Sequence, residues 1–245
     1  MKYAITNGKV LDGTTDMYVQ ENLVILVEDE KIQALVPAGT DLTNYEIVDL
    51  AGQYIMPGLI NMHVHLAGSG KPQKKQRDNE KLVNQIMSTG LTRKIAYNMV
   101  CGFAKQELYS GVTTIRTVGG LGEFDSRLRD DIAVGKKIGP RILAANQGIS
   151  VPGGHMAGSV AIAAHNNEEA IAHLEKSEKQ GIDLVKLMIT GGVMDAKEKG
   201  VPGELKMQPE MVRAVCDKAH EAGYIVAAHV ESPEGVRVAL ENGVD

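Results

Sequence analysis

Two histidines two residues apart, His63 and His65, stand in Pro57-Gly58-Leu59-Ile60-Asn61-Met62-His63-Val64-His65-Leu66, an apolar run that follows a Pro-Gly turn. Side chains two apart in a strand point to the same face, so the imidazoles leave one strand end together, with Met62, Val64 and Leu66 on the other side. Two convergent imidazoles can hold a divalent metal such as zinc; the plain alternative is a chance pair in a half-buried strand. Lys186 interrupts a second apolar run, Asp183-Leu184-Val185-Lys186-Leu187-Met188-Ile189. An ammonium buried there must be paired, neutral or modified. It is either a salt-bridged lysine at a strand end or an amine of depressed pKa that reacts with carbon dioxide, giving a carbamate able to bridge two metals. His229 closes a third run, Val226-Ala227-Ala228-His229, as a site residue or a capping one. His155 lies in the loop Val151-Pro152-Gly153-Gly154-His155-Met156-Ala157-Gly158, where it either touches substrate or is an ordinary loop residue. After Lys186, Thr190-Gly191-Gly192-Val193 offers backbone N–H groups to an anion or simply turns tightly. His220 reads as a helix carboxyl-terminal residue favoured by the dipole, and His165 and His173 as surface residues.

The elements that must position these side chains fall into two regions. Residues 1 to 57 read as short strands with turns, at 3–7, 23–28, 31–36 and 47–50, and the polar Glu28-Asp29-Glu30-Lys31 suggests a hairpin. From residue 58, strand and helix alternate. Strands are expected at 59–66, 111–118, 141–146, 183–189 and 224–230, and helices at 79–109, 123–135, 167–180, 208–222 and 232–241, with Val244-Asp245 opening a sixth strand. Asn166 or Asn167 caps one helix, Gly181 and Gly223 follow the ends of two, and Pro209 and Pro233 sit near the starts of two. Near-continuous apolar strands that alternate with helices mean a parallel sheet covered by helices. Polar residues at the carboxyl ends of several strands favour a (β/α)8 barrel, and the lack of Gly-x-Gly-x-x-Gly after the first strand counts against a dinucleotide fold. The expected fold class is α/β: a small N-terminal β module (1–57), then an incomplete TIM-type barrel of about five βα units (58–245).

The bulk properties narrow the function. The 245 residues are 43% hydrophobic and 23% charged with a net charge of −5, as for a soluble globular protein without a basic face for nucleic acid. The one basic cluster, Lys71 to Arg77, reads as a solvated loop, with an anion-binding loop as the alternative. Cys101 and Cys216 fall in expected helices and read as buried free thiols. With no signal-peptide core and no run near the ~20 apolar residues of a spanning helix, the expectation is a cytoplasmic protein without a membrane partner.

Taken jointly, these motifs resemble the metal-dependent hydrolases of the amidohydrolase superfamily. The likeness is carried by Gly8-Lys9-Val10-Leu11-Asp12-Gly13, Pro57-Gly58-Leu59-Ile60 leading into His63-x-His65, Gly111-Val112-Thr113-Thr114, Lys186 and His229. Val185-Lys186-Leu187-Met188 before Thr190-Gly191-Gly192, with the Gly-Gly-His loop, is most similar to the prolidase-like, Xaa-amino-acid dipeptidase branch. Imidazolonepropionase-like enzymes are near relatives, and Lys186 speaks against the mononuclear deaminases. The resemblance implies two divalent metal ions, zinc as first choice. His63 and His65 would hold the first and His229 the second, with Lys186 as its carbamate bridging both and serving catalysis, and His155 facing the substrate. It implies cleavage of an amide or peptide C–N bond, in a dipeptide or an N-acyl amino acid, by a metal-bridging hydroxide.

The chain departs from the pattern in places. The family's strand-six His and strand-eight Asp are missing, and the residues after the β module are too few for the roughly 250 of a whole barrel. The expectation is therefore a C-terminally truncated barrel, with 1–57 as half of a composite β-sandwich. Asn61 replaces an Asp that often precedes the first His, and Thr117 replaces an acid often found after the strand-two Arg. The competing readings are a hydrolase, a homo-oligomer or one needing a complementary C-terminal half, and an inactive fragment with open strand edges. A cyclic amide hydrolase of imidazolonepropionase type is the further alternative.

Overall fold

A computed structural model of the chain describes residues 1–70, 78–193, 196, 201 and 203–245. It divides into two compact units, Met1–Gly58 and Leu59–Asp245. The first carries β1 (Lys2–Thr6), β2 (Lys9–Val10), β3 (Leu23–Glu28), β4 (Lys31–Pro37), β5 (Glu46–Asp49) and β6 (Tyr54–Ile55). Four of these form a sheet in the order β4-β3-β1-β5, and β2 pairs with β6. The β3–β4 hairpin turns at Asp29 and Glu30, with φ of 47° and 66°. Two successive residues at positive φ form the turn whose twist matches the flanking strands, which is why the short polar segment there makes a hairpin.

The second unit runs β7 (Leu59–Val64), α1 (Asn79–Met87), α2 (Gly90–Tyr109), β8 (Val112–Thr117), α3 (Phe124–Ala133), β9 (Arg141–Ala144), β10 (Gly148–Ser150), β11 (Ala161–Ala163), α4 (Asn167–Lys179), β12 (Val185–Met188), α5 (Pro209–Glu221), β13 (Val226–His229) and α6 (Pro233–Glu241). All its sheet pairings are parallel, in the orders β7-β8-β9 and β11-β10-β12-β13. The chain passes from one sheet to the other between β9 and β10, where buried Asn146 takes φ 56°.

Helix boundaries follow local chemistry. Asn166 caps α4 by accepting from Glu169 N, Ser232 caps α6 by accepting from Gly235 N, and Pro209 and Pro233 open their helices. Gly181 and Gly223 follow α4 and α5 at φ 72° and 82°, the left-handed region that glycine reaches without strain. The single helix expected over 79–109 is two. Thr89 is extended (φ −128°, ψ 155°) and its hydroxyl accepts from Thr92 N, so a competent N-cap restarts the helix inside an unbroken apolar pattern. The short strands β10 and β11 were not foreseen. Residues 244–245 form no assigned strand.

Strand alternation sorts the side chains of the second unit. Val185, Leu187 and Ile189 pack with Met211, Val212 and Val215 of α5, while Val64, Leu66 and Ile115 pack with Tyr97 and Val100 of α2 and Phe124 and Leu128 of α3. Leu184 faces the other way, in a small cluster with Val118, Ala145 and Ala227. By the same period of two, His63, His65, Arg116, Lys186 and His229 share this second face.

Two aspartates fasten neighbouring strands in the same way. Asp183, just before β12, donates its N–H to Ala144 O (2.8 Å) and accepts Ala144 N–H on Oδ2 (2.8 Å). Asp245 does so with Val226, at 3.1 and 2.8 Å. A side chain of the helix before the fastened strand completes each clamp: Arg129 at 2.8 Å on Asp183 Oδ2 and His220 Nε2 at 2.9 Å on Asp245 Oδ2.

Candidate metal centre

His63 and His65 reach one point. Their Nε2 atoms lie 3.3 Å apart. Metal–nitrogen bonds of about 2.0–2.1 Å at tetrahedral angles set ligand atoms roughly 3.3–3.4 Å apart, so the pair matches two corners of such a shell. His65 Nδ1 lies 3.0 Å from Gly119 O. A carbonyl only accepts, so Nδ1 carries the proton and Nε2 keeps its lone pair for a ligand, the usual support of a metal-binding histidine. Gly119 sits at φ 131° and a Cβ there would come within 3.3 Å of the His65 ring, so the close approach requires glycine. Burial is the main force that pushes the His63 imidazole down to about 4 and that also lowers His65, with the Lys186 ammonium adding to both. Both are therefore neutral near pH 7, the state a metal ligand needs.

Lys186 is 2% exposed. Among the described residues no carboxylate or hydrogen-bond acceptor meets its ammonium. Burial first, then the charge of Arg116, pushes it from 10.5 down to about 8. Arg116 Nε is tied to Met62 O at 2.8 Å, which fixes that charge beside the strand carrying the two histidines. Among the described residues Lys186 is thus an unpaired amine, not the ion-paired lysine that the sequence left open.

His229 ends β13 with its side chain 13% exposed, and its Nε2 is buried without a hydrogen-bond partner. Burial, then His155 and Lys186, push it down to about 4. His155 lies face to face with it, ring centroids 3.9 Å apart at 11°. The Gly-rich loop thus brings His155 to the centre, against His229. Glu231, unassigned by the motif reading, places Oε1 3.6 Å from His229 Nε2. The period-of-two rule that singled out His63 and His65 would have found it, since His229-Val230-Glu231 repeats the spacing of His63-Val64-His65. Arg116 also went unassigned.

Other candidates lie elsewhere. His220 binds Asp245 at the end of α5, and His165 is exposed. His173 is not the surface residue expected: it is partly buried and its Nε2 bonds Gln147 O at 2.9 Å. Cys216 is buried and Cys101 only partly so. The basic cluster 71–77 lies outside the described residues. No helix among the described residues is long and apolar enough to cross a membrane.

The donor set suits divalent metals. Two neutral imidazoles share one point, a buried imidazole nitrogen lacks a partner, and a lysine unpaired among the described residues bears on all three histidines. No three His, Cys, Asp or Glu side chains converge on one point among the described residues. Gly192 keeps the centre open: a Cβ there would stand 2.6 Å from His155 Nδ1 and 3.3 Å from His229 Nε2. Gly192→Ala is expected to displace His155 and to weaken metal uptake at His229 by roughly tenfold. Gly90→Ala, whose Cβ meets nothing within 4 Å, leaves it unchanged; a cobalt(II) titration followed by absorption reads both.

Residues 54–245 match the Amidohydrolase family, and the chain belongs to that family. Its whole length superposes on solved structures. A structure assigned to a prolidase from Bifidobacterium longum is 34% identical with a TM-score of 0.76, the match covering 100% of this chain and 53% of that one. A Xaa-Pro dipeptidase with methionine bound in its active site is 29% identical with a TM-score of 0.80, covering 100% and 60%. Dihydroorotase of Syntrophotalea carbinolica is 40% identical over 77 residues, which is 31% of this chain and 17% of that enzyme. The chain thus spans between 53% and 60% of the length of these solved relatives.

Proposed function

We propose that the chain carries the metal-holding part of a hydrolase that cleaves an amide C–N bond in a small substrate, a dipeptide or an N-acyl amino acid. The observation that carries this is that His63, His65, Lys186 and His229 all project from the same side of their strands, with the lysine unpaired among the described residues and beside neutral imidazoles. The likeness to a Xaa-Pro dipeptidase over the whole chain supports the dipeptide. The parallel strands and the cluster of Val118, Ala145, Leu184 and Ala227 support an arc of a (β/α)8 barrel with its site at the strand carboxyl ends.

Divalent metals held there, zinc first among them, would act as Lewis acids on the amide carbonyl and lower the pKa of water. His63 and His65 hold the first, with Gly119 O fixing the His65 tautomer. His229 holds the second, braced by His155. Lys186 lies between: at pH 7 an amine of pKa about 8 is neutral in roughly one molecule in ten, against fewer than one in a thousand at 10.5. Its neutral nitrogen would add to carbon dioxide, forming an N–C bond and releasing the proton to solvent, and the carbamate would supply oxygen donors to the metals held by His63, His65 and His229.

Metal analysis of the purified 245-residue chain, with assays on Xaa-Pro dipeptides, tests the proposal. Two tightly held metals and dipeptide cleavage are expected. Absence of both would sink it, and two metals without turnover would favour a chain that needs a complementary half. The dihydroorotase match favours a second reading, a cyclic amide substrate; dihydroorotate hydrolysed in place of dipeptides would establish that one.

A further inference from the structure

We propose that Asp125 is a positioning residue of the centre: its carboxylate, set behind the Gly119–Gly120 peptide, strengthens the hold of Gly119 O on His65 and so the metal affinity of that imidazole. This rests on the hydrolase reading above and gives a role to a buried acid that the reading leaves idle.

The contacts run in an unbroken line. His65 Nδ1 donates to Gly119 O at 3.0 Å. At the other end of the same peptide, Gly120 N donates to Asn146 O at 2.9 Å. The Asp125 carboxyl fills the space that a side chain on residue 120 would need: a Cβ there would stand 2.8 Å from its Cγ and 3.0 Å from Oδ1. The carboxylate therefore lies on the nitrogen side of a peptide whose carbonyl side meets the histidine. Negative charge in that place aligns with the peptide dipole and pushes electron density toward Gly119 O. Hydrogen bonds in series polarise one another where the dielectric is low, so the carbonyl becomes a stronger acceptor. A stronger acceptor on Nδ1–H leaves Nε2 more basic, as a carboxylate bonded directly to a metal-binding histidine does. Here a peptide stands between the two.

Asp125 is fixed in this place. Asn146 accepts from Ser126 N on Oδ1 at 2.9 Å and donates from Nδ2 to Ser126 Oγ at 2.9 Å. The residue next to Asp125 is thus pinned to the same Asn146 that receives Gly120, and all three side chains are buried. Neither Asp125 oxygen has a hydrogen-bond partner, and the facing Thr117 hydroxyl turns to Leu143 O at 3.5 Å. Burial pushes the carboxyl up to about 6, so it still carries its charge at pH 7. An amide of the same shape would avoid the cost of burying that charge. A cation held by His65, one peptide away, supplies the compensation that the hydrogen bonds do not.

Cobalt(II) titration of the full chain in a His229→Ala background, which leaves the His63 and His65 pair, tests the assignment by visible absorption near pH 7. Asp125→Asn, close to isosteric, should weaken cobalt binding at least about tenfold while the urea midpoint of the metal-free protein rises. Thr117→Asp, added to Asp125→Asn, returns a carboxylate from the facing strand and should restore part of the affinity. A residue that merely supports the fold would move cobalt affinity and urea midpoint in the same direction, and that result would overturn the proposal. So would cobalt held as tightly with Asp125→Asn as without it, which would leave the hydrolase reading standing. A wild-type chain that binds no metal would overturn both.

Discussion

Lys186→Met is expected to make the metal-free protein more stable at pH 7 and to remove the metal bridge proposed for this lysine. The side chain is 2% exposed and its charge meets no partner among the described residues. Burial, then Arg116, takes its pKa from 10.5 in the unfolded chain to about 8 in the folded one. Between those values the unfolded state binds more protons, so stability rises as pH climbs from about 8 to 10.5 and is lowest below 8. A shift of this size corresponds to roughly 3 kcal/mol against folding at pH 7. Methionine fills similar volume without charge, so urea unfolding should show a gain of that order at pH 7 that disappears near pH 10.5. The same variant should lose the second metal and the hydrolysis of dipeptides. A protein made firmer and inert by one substitution is what a lysine kept for chemistry predicts. A lysine that stabilised the fold would give the opposite sign at pH 7.

Asp125 carries the second large effect. It is 1% exposed at the start of α3, and neither carboxylate oxygen has a hydrogen-bond partner. Burial pushes it up to about 6, and the facing Thr117 hydroxyl, which points at 3.5 Å to Leu143 O, lowers it only in part. Here the folded state binds more protons between about 4 and 6, so stability falls as pH rises through that window and stays lower above it. The contribution is on the order of 3 kcal/mol. Asp125→Asn removes the titration. Its stability relative to the wild type should therefore improve by about that amount from pH 4 to pH 8 in paired urea titrations. Equal changes in both proteins would show that Asp125 does not titrate with folding.

Thr117 and Asp125 also mark where sequence reading stops. The acid expected after the strand-two arginine is replaced by Thr117, yet a carboxylate does face that position, carried there from α3. Nothing in Phe124-Asp125-Ser126 announces that the helix turns its first acid inward, because that depends on how α3 settles on β8 and β9. The alternation of strands and helices was legible, since apolar runs and the capping residues Asn166, Ser232, Pro209 and Pro233 act locally. The break at Thr89 was not, because apolar spacing continues across it and only the extended backbone lets its hydroxyl act as a cap. Three-residue strands such as β10 and β11 are too short to show a period. Within the centre, His63, His65, Lys186 and His229 stood out by residue type in apolar strands. The stacking of His155 depends on a loop path that no local pattern encodes.

The clamps made by Asp183 and Asp245 have a bearing on how such a chain can change over generations. Asp183, just upstream of β12, holds Ala144 of β9, and Asp245, beyond α6, holds Val226 of β13, each through a backbone N–H, a carbonyl and a side chain of the helix before the held strand. The proposed chemistry would sit where strands run out into loops, at His65, Gly192 and His229. Alignment of the sheet is therefore kept by residues that take no part in the reaction. New loops can be tried at the working end while the strands stay in register, so substrate preference can drift far faster than architecture.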